Sequence, residues 1–303
     1  MMADATLAAA DGPGRRAAPN ARTLRAQARA ERLGRLGLTL PGTLLICAVL
    51  LVPVGWLSYL SAFDAAGNLS WVNYQRLGSD LYLRSFLTTF RVAGIVTLLT
   101  VLMGYPVAYM MSQARPRMAT VILVAVMLPF WTSVLVRTYA WLVLLQRTGL
   151  VNGWLQALGL TSTPLPLVHN EFGTIVGMTH VMLPFLILPL YASMKAVDPA
   201  LMKAAANCGA TPAQAFRQVY LPQTVAGLGA GAGLVFVLCL GFFVTPVLLG
   251  GGRVFMWAML IGDNISLYGN WGAASALGVV LVLATGLVLA AIRVLLTLAG
   301  GRA

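Results

Sequence analysis

Charged side chains are scarce in this sequence. Only 9% of the 303 residues are charged and only 8 are acidic, whereas 59% are hydrophobic. A soluble domain normally has about a quarter of its residues charged. The composition therefore excludes an ordinary soluble protein and indicates one that crosses a membrane several times.

Several kinds of functional residue are also missing. The only lysines are Lys195 and Lys203, and neither lies in a GxxxxGKS or GxxxxGKT phosphate-binding loop, which excludes a P-loop ATPase. The three cysteines suggest no disulfide framework. His169 and Glu171 are two ligands without a third, which is weak evidence for a metal. No paired carboxylates and no nucleophile with a base are recognisable, so we expect no catalytic residue, metal or bound cofactor.

Long apolar segments supply most of the chain. A helix that crosses a bilayer needs about 20 apolar residues, and six stretches meet this requirement. The sequence therefore predicts an all-α membrane protein whose membrane domain covers residues 38–303, after a flexible basic tail at 1–37 that is cytoplasmic or, alternatively, a transit peptide. The predicted spans lie at about 38–63, 86–111, 118–146, 172–194, 223–249 and 273–298.

Basic residues are concentrated on one side of the predicted bilayer. Besides the tail, the segments on that side contain Arg115, Arg117, Lys195, Lys203, Arg217, Arg293 and Arg302. Since cytoplasmic loops carry an excess of Lys and Arg, both termini are predicted to be cytoplasmic. The net charge of +12 then follows largely from topology, and we expect no nucleic-acid partner.

A polar interval, 195–222, separates the fourth and fifth predicted spans. Its sequence predicts two short helices joined by a hinge, with helix starts and stops of known type. These signals are Asp198 and Pro199 at the first start, Gly209 at the hinge, Thr211, Pro212 and Gln214 at the second start, and Leu221 and Pro222 at the end.

Two features of this interval suit contact with another protein. The first helix has the small residues Ala204 to Ala206 before the hinge, which allow a close approach. The second places Phe216, Val219 and Tyr220 on one face, an apolar stripe that fits a partner's groove. A solvated loop between two membrane helices is the alternative.

The spacing in this interval resembles the EAA loop of ABC importer permeases, E-A-A-x-x-x-G-x9-I-x-L-P. The matching positions are Lys203, Ala204, Ala205, Gly209, Val219, Leu221 and Pro222. Lys203 stands where the family usually has Glu. The resemblance implies that 195–222 is a cytoplasmic coupling loop that docks on a separate ATPase subunit.

The third predicted span contains a proline and a charge. Pro129 should kink the helix because it removes a backbone hydrogen bond. Arg137 costs about 2.5 to 3.5 kcal/mol at membrane depth, so it should face a cavity or the bundle interior unless it snorkels to the headgroups. The string from Leu128 to Trp141 resembles the LPFWTSxLVRTYAW segment of spermidine/putrescine-type permeases. That resemblance makes four residues candidates for the translocation path: Trp131, Arg137, Tyr139 and Trp141.

Small residues mark the fifth predicted span. Gly227, Gly229, Gly231 and Gly233 form two interleaved GxxxG spacings, which allow close helix packing within the chain or between subunits. Thr245 and Pro246 are expected to break the far end of this span. In the fourth span, His180 is predicted to be packed and hydrogen-bonded.

The resemblance extends from Leu38 to the end of the chain. It implies a non-catalytic permease subunit of a type I ABC importer in a bacterial inner membrane. The implied partners are a second six-span permease, two cytoplasmic ATPases that use ATP and Mg, and a periplasmic binding protein. Polyamines are the implied cargo; an opine, another amine, an oxyanion or iron are alternatives. An ion-coupled carrier is disfavoured because all eight acids lie outside the predicted spans. A non-transporting receptor is a further alternative.

Overall fold

The computed structural model describes residues 21–64 and 67–300. The chain divides into two units, residues 1–56 and 57–303, and the second contains every site discussed below. The helices in chain order are α1 (Ala21–Leu60), α2 (Val72–Arg76), α3 (Asp80–Gln113), α4 (Pro116–Met127), α5 (Val134–Leu145), α6 (Leu150–Ala157), α7 (Glu171–Lys195), α8 (Pro199–Asn207), α9 (Pro212–Ala215), α10 (Leu221–Leu240), α11 (Val244–Gly250), α12 (Trp257–Ser266) and α13 (Trp271–Gly300).

The predicted flexible tail is only partly described. Residues 1–20 lie outside the described residues. From Ala21 onward the chain is helical, as part of α1, and the flexibility of 21–37 stays a prediction. Alanine, arginine and leucine dominate this segment, and all three are good helix formers.

Within residues 21–64 and 67–300, five helices are long and apolar enough to cross a membrane, and the number is six if a bent helix pair is counted as one span. The five unbroken candidates are Thr39–Leu60, Asp80–Gln113, Glu171–Lys195, Pro212–Leu240 and Trp271–Ala291. They match the predicted spans one, two, four, five and six. The all-α fold with six membrane segments is therefore confirmed.

The third segment is broken rather than kinked. A 3-10 turn, Leu128–Trp131, follows α4, and Thr132 and Ser133 are extended, with ψ of 149° and 138°. The parts on either side, Pro116–Trp131 and Val134–Ala157, differ in direction by 96°. Pro129 supplies no N–H to hold the turn as α-helix, and the Thr132 hydroxyl donates to the carbonyl of Pro129 at 2.7 Å.

The fifth span ends earlier than predicted. Its helix stops at Leu240, and the break falls at Gly241 to Phe243 rather than at Thr245 and Pro246. Pro246 is inside α11, near its first turn, where a missing N–H costs little. Glycine has the lowest helix propensity after proline, so Gly241 is the weaker point of this segment.

Three helices form the centre of the second unit: α3, α7 and α10 pack against one another. Their shared core includes Val92, Val96, Met178, Met182, Leu186, Val235 and Cys239, each at most 1% exposed. A second cluster, around Met111, Leu190 and Tyr220, lies where α7 leads into the 195–222 interval. The interval is therefore attached directly to the helical core.

Candidate functional site

The first half of the interval 195–222 is a short helix with defined ends. The Asp198 carboxylate accepts a hydrogen bond from the backbone N–H of Ala200 at 2.8 Å and caps α8, with Pro199 at its first position. At the other end Gly209 has φ +83°. The N–H of Gly209 donates to the Ala206 carbonyl at 2.9 Å and that of Ala210 to the Ala205 carbonyl at 3.0 Å. These two bonds form a Schellman motif, which fixes the hinge at Gly209 as predicted.

The second half starts with a reciprocal cap. The Gln214 N–H donates to the Thr211 hydroxyl at 3.3 Å, and the Thr211 N–H donates to the Gln214 side-chain oxygen at 2.8 Å. This capping box satisfies two N–H groups that a helix start leaves without partners. The predicted second start is confirmed, and both ends of the hinge are fixed by local hydrogen bonds.

The predicted end of the second helix is wrong. The chain stays helical from Pro212 to Leu240, and Leu221 and Pro222 are the first residues of α10. A π-helical turn, Phe216–Tyr220, precedes the proline. Because Pro222 has no N–H and its ring crowds the preceding turn, the wider π turn accommodates it without ending the helix.

The aromatic residues of the second half face the chain's own core. Tyr220 is 3% exposed, and its hydroxyl lies 3.0 Å from that of Ser112 in α3. The Tyr109 ring lies 5.5 Å from the Phe216 ring and 5.4 Å from the Tyr220 ring. Val219 is half-buried. The predicted partner-facing stripe is therefore wrong for Phe216 and Tyr220, because α3 already covers them.

Much of the exposed surface of the interval belongs to α8 and the hinge, and the start of the second helix and Arg217 are exposed as well. Lys203, Ala204 and Gly209 are exposed, and Ala205 is half-buried. Space around Gly209 is open: a Cβ added there would meet no atom within 4 Å. Within the described residues, neither of the two ion pairs involves Lys203. A partner can therefore reach the backbone of this helix and its one positive charge.

Only one of the two GxxxG spacings is a packing seam. A Cβ on Gly227 would lie 2.3 Å from Ser193 Cβ, and one on Gly231 would lie 3.0 Å from Leu186 Cδ1. Both contacts are with α7 of the same chain. Gly233 has only Leu289 at 4.0 Å, and Gly229 is half-buried. The seam is thus between α10 and α7 and is formed by the first pair of glycines.

The four predicted path residues do not form one group. Trp131 is 83% exposed and Tyr139 is 54% exposed, whereas Arg137 is only 8% exposed. Trp141 lies one turn after Arg137, and its indole N–H donates to His180 Nδ1 at 3.2 Å. The predicted hydrogen-bonded role of His180 is confirmed. The structure places Arg137 and Trp141 on the inward face of α5, Tyr139 on its exposed side, and Trp131 in the exposed 3-10 turn that precedes it.

Two polar contacts to α3 were missed in the sequence. One is the Ser112 to Tyr220 bond described above; the other joins the Tyr105 hydroxyl to that of Thr224 at 3.2 Å. Both link α3 to residues at the start of the fifth span. A serine and a tyrosine on an apolar helix carry no spacing signal, because their partners lie more than a hundred residues away.

An ion pair joins α3 to the start of α7, away from the interval 195–222. Arg91 in α3 donates to the carboxylate of Glu171, the first residue of α7, at 2.5 Å. This pairing gives Glu171 a structural partner on a neighbouring helix. The nearby side chain of His169, which has φ 59°, lies against the Gly251 turn.

Comparison with known proteins finds sequence similarity over most of the chain. Residues 97–298 match the model of the family described as binding-protein-dependent transport system inner membrane component. The chain is 36% identical over 214 residues to the spermidine/putrescine transport system permease protein PotB of Haemophilus influenzae, covering 70% of this chain and 75% of that protein. It is 33% identical over 237 residues to the inner membrane ABC transporter permease protein YdcU of Escherichia coli, covering 74% and 75%.

Solved structures match the fold. A chain of a bacterial ABC transporter involved in the import of the acidic polysaccharide alginate superposes with a TM-score of 0.68 at 18% identity, covering 89% of this chain and 98% of that one. A second structure, in which the alginate transporter is in complex with a periplasmic protein bound to alginate pentasaccharide, gives a TM-score of 0.64 at 18% identity, covering 88% and 94%. At this identity the likeness concerns the fold alone.

Proposed function

The chain belongs to the binding-protein-dependent transport system inner membrane component family and is an ABC importer permease, and on that premise we propose that its interval 195–222 couples the membrane helices to a separate ATPase. The observation that carries this proposal is the hinge: α8 is capped by Asp198 and closed by the Schellman motif at Gly209. A helix fixed at both ends can transmit a push, whereas a solvated loop would absorb it.

The contacts of the interval indicate which membrane helices would move together with α8. At its start α8 follows α7 after a short connection, and at its end the helix from Pro212 runs into α10 without a break. Tyr220 and Phe216 join this helix to α3. Movement of α8 would therefore reach all three central helices together, as a change between outward-facing and inward-facing states requires.

The docking surface that we propose is centred on α8 and the hinge. Its exposed groups include the backbone around Ala204 and Gly209 and the ammonium of Lys203, and Arg217 adds a second positive charge in the exposed part of the interval. Small side chains let a partner's surface approach the helix backbone closely, as in other tight helix contacts. We expect a complementary groove on the ATPase, with a carboxylate that faces Lys203.

The remaining parts of the assembly follow from the same role. A complete importer of this kind contains a second six-span permease, two cytoplasmic ATPases that use ATP and Mg, and a periplasmic binding protein. The basic residues of the interval, Lys195, Lys203 and Arg217, support a cytoplasmic position for the loop and for both termini. No catalytic step is assigned to this chain.

Polyamines are the proposed cargo. The support is the similarity to the spermidine/putrescine transport system permease proteins PotB, which are 31 to 36% identical to this chain. The binding protein selects the solute in such systems, so the identity of that protein tests the proposal. We expect a binding protein that copurifies with the full complex to show a raised melting temperature with spermidine or putrescine. Stabilisation only by an opine, an oxyanion or iron would replace polyamines as the cargo.

The coupling role is tested by placing a large side chain at the hinge or in α8. Gly209→Trp and Ala205→Trp should still insert in the membrane, since both positions lie outside the candidate spans; Gly209→Trp also strains the hinge, because φ is +83° there. Both should separate ATP hydrolysis from uptake in reconstituted vesicles, because the added indole occupies the docking surface. Arg147→Trp, at an exposed position in the connection that follows α5, is the control. Normal uptake per ATP hydrolysed in Gly209→Trp would refute the coupling role.

A further inference from the structure

A buried arginine in α5 has no counter-charge within the described residues. Arg137 is 8% exposed, and its Nε and Nη1 atoms are buried with no hydrogen-bond acceptor among those residues. The two ion pairs described join Arg84 to Asp80 and Arg91 to Glu171. Burying a guanidinium without hydrogen-bond acceptors costs folding free energy. The presence of one in a membrane helix therefore marks a candidate ligand site.

The groups around Arg137 favour a negative ligand. One turn further along α5, Trp141 donates to His180 Nδ1, so a neutral His180 carries its proton on Nε2. Arg137 and Trp141 are four residues apart in the same helix and so lie on one face of it, the face that meets His180. A protonated guanidinium and a neutral imidazole that donates from Nε2 offer no acceptor for an ammonium. They provide donors and one positive charge, which an anion matches.

An open space adjoins the imidazole. Of the three side chains, only His180 lines this cavity of about 390 Å³, whose other walls are apolar and come from α3, α4, α7 and the 3-10 turn, among them Met103, Val126 and Pro129. Apolar walls weaken screening and so strengthen the attraction between Arg137 and an anion nearby. The volume suffices for a small solute to approach the polar cluster from the side of α4.

We propose that Arg137 binds one small monovalent anion, either chloride or a carboxylate group, next to the Trp141 and His180 pair. The site is separate from the coupling loop and does not depend on which solute the importer carries. Water could satisfy the hydrogen bonds of the guanidinium but would leave its charge without compensation. Stabilisation that depends on an anion therefore distinguishes the proposal from simple hydration.

The test measures thermal stability against anion concentration. The full-length chain, with any subunits that copurify, is purified in mild detergent in a sodium HEPES buffer, whose anion is a bulky sulfonate rather than a carboxylate or a halide. Sodium chloride or sodium acetate then replaces sodium HEPES at constant ionic strength and pH. A ligand that binds only the folded state at ten times its dissociation constant should raise the melting temperature by roughly 3 °C and then saturate.

Variants assign the effect to the site. Arg137→Met should lose the saturable rise, Arg137→Lys should keep it at higher anion concentration, and Arg147→Met, which removes an exposed arginine, should respond as the wild type does. Arg137→Gln provides a second neutral variant if the methionine variant does not purify.

Each outcome of the titration has a defined meaning. A rise with chloride alone supports an inorganic anion, and a rise with acetate supports a carboxylate group. No rise with either salt in the wild type, or the same rise in Arg137→Met, overturns the proposal. Neither result affects the coupling role of Gly209, which is measured separately by uptake per ATP hydrolysed.

Discussion

The close contact between α10 and α7 gives a quantitative prediction at Gly227. A Cβ at this position would lie 2.3 Å from Ser193 Cβ and 2.6 Å from Ser193 Oγ, distances at which one helix must shift. Overpacking of this kind typically costs about 1–3 kcal/mol. The matched control is Gly233→Ala on the same helix, where the added Cβ would meet only Leu289 Cδ2 at 4.0 Å. The control should be neutral or gain up to about 1 kcal/mol, because alanine is the better helix former.

The assay is the melting temperature of the detergent-purified protein for Gly227→Ala, Gly233→Ala and Ser193→Gly and for Gly227→Ala combined with Ser193→Gly. The double variant removes the atoms that the new methyl group meets, so it should lose less stability than the sum of its two single variants, a non-additive result expected of residues in contact. Equal effects of Gly227→Ala and Gly233→Ala would refute the conclusion that Gly227, and not Gly233, lies in the contact with α7. So would strict additivity in the double variant.

Three further substitutions test local contacts. Gly209→Val should weaken the hinge by about 1–2 kcal/mol more than Gly209→Asn, because φ of +83° strains a β-branched residue most. Limited proteolysis should therefore cut the loop of the valine variant faster than that of the asparagine variant. Tyr220→Phe removes the bond to Ser112 and should cost about 0.5–1.5 kcal/mol without loss of the ring contacts, seen as a lower melting temperature. Ser112→Ala also removes a bond to the Tyr109 carbonyl, so the double variant should lose less than the sum of the two single losses. Gly272→Ala should destabilise by about 1–3 kcal/mol, since its Cβ would lie 2.2 Å from the Phe63 carbonyl oxygen, and wild-type stability would contradict that contact.

The hinge was predictable from sequence because its signals are local. Asp198 with Pro199, Gly209, and Thr211 with Gln214 each act within one helical turn. The number and approximate position of the membrane segments were predictable for a similar reason, since length and hydropathy alone decide them.

The course of the helix after the hinge was not predictable from local signals. Pro222 normally indicates a helix end, but the π turn before it and the burial of Tyr220 against α3 keep the chain helical. That outcome depends on a partner about a hundred residues earlier in the sequence. The same holds for the glycines: four share one helix, and only the position of Ser193 on α7 decides that Gly227 is in the seam.

The transport-path candidates illustrate the limit of a motif. The segment from Leu128 to Trp141 suggested four equivalent residues, but the 96° bend after Trp131 separates them. Arg137 turns inward and Tyr139 outward because helix periodicity places neighbours two apart on different faces. The pattern therefore identified the segment and not the side chains that act together.

The central claim, that the interval 195–222 docks on a cytoplasmic ATPase, is tested most directly at Cys208. This residue is exposed at the hinge, Cys47 is exposed in α1, and Cys239 is buried. In Cys47→Ser protein within intact inverted membrane vesicles, a short bifunctional reagent that starts at the Cys208 thiol should crosslink the chain to an ATPase subunit. The account predicts an adduct of the two chains whose yield changes with ATP. Labelling of Cys208 only from the periplasmic side, with no ATPase adduct, would contradict it.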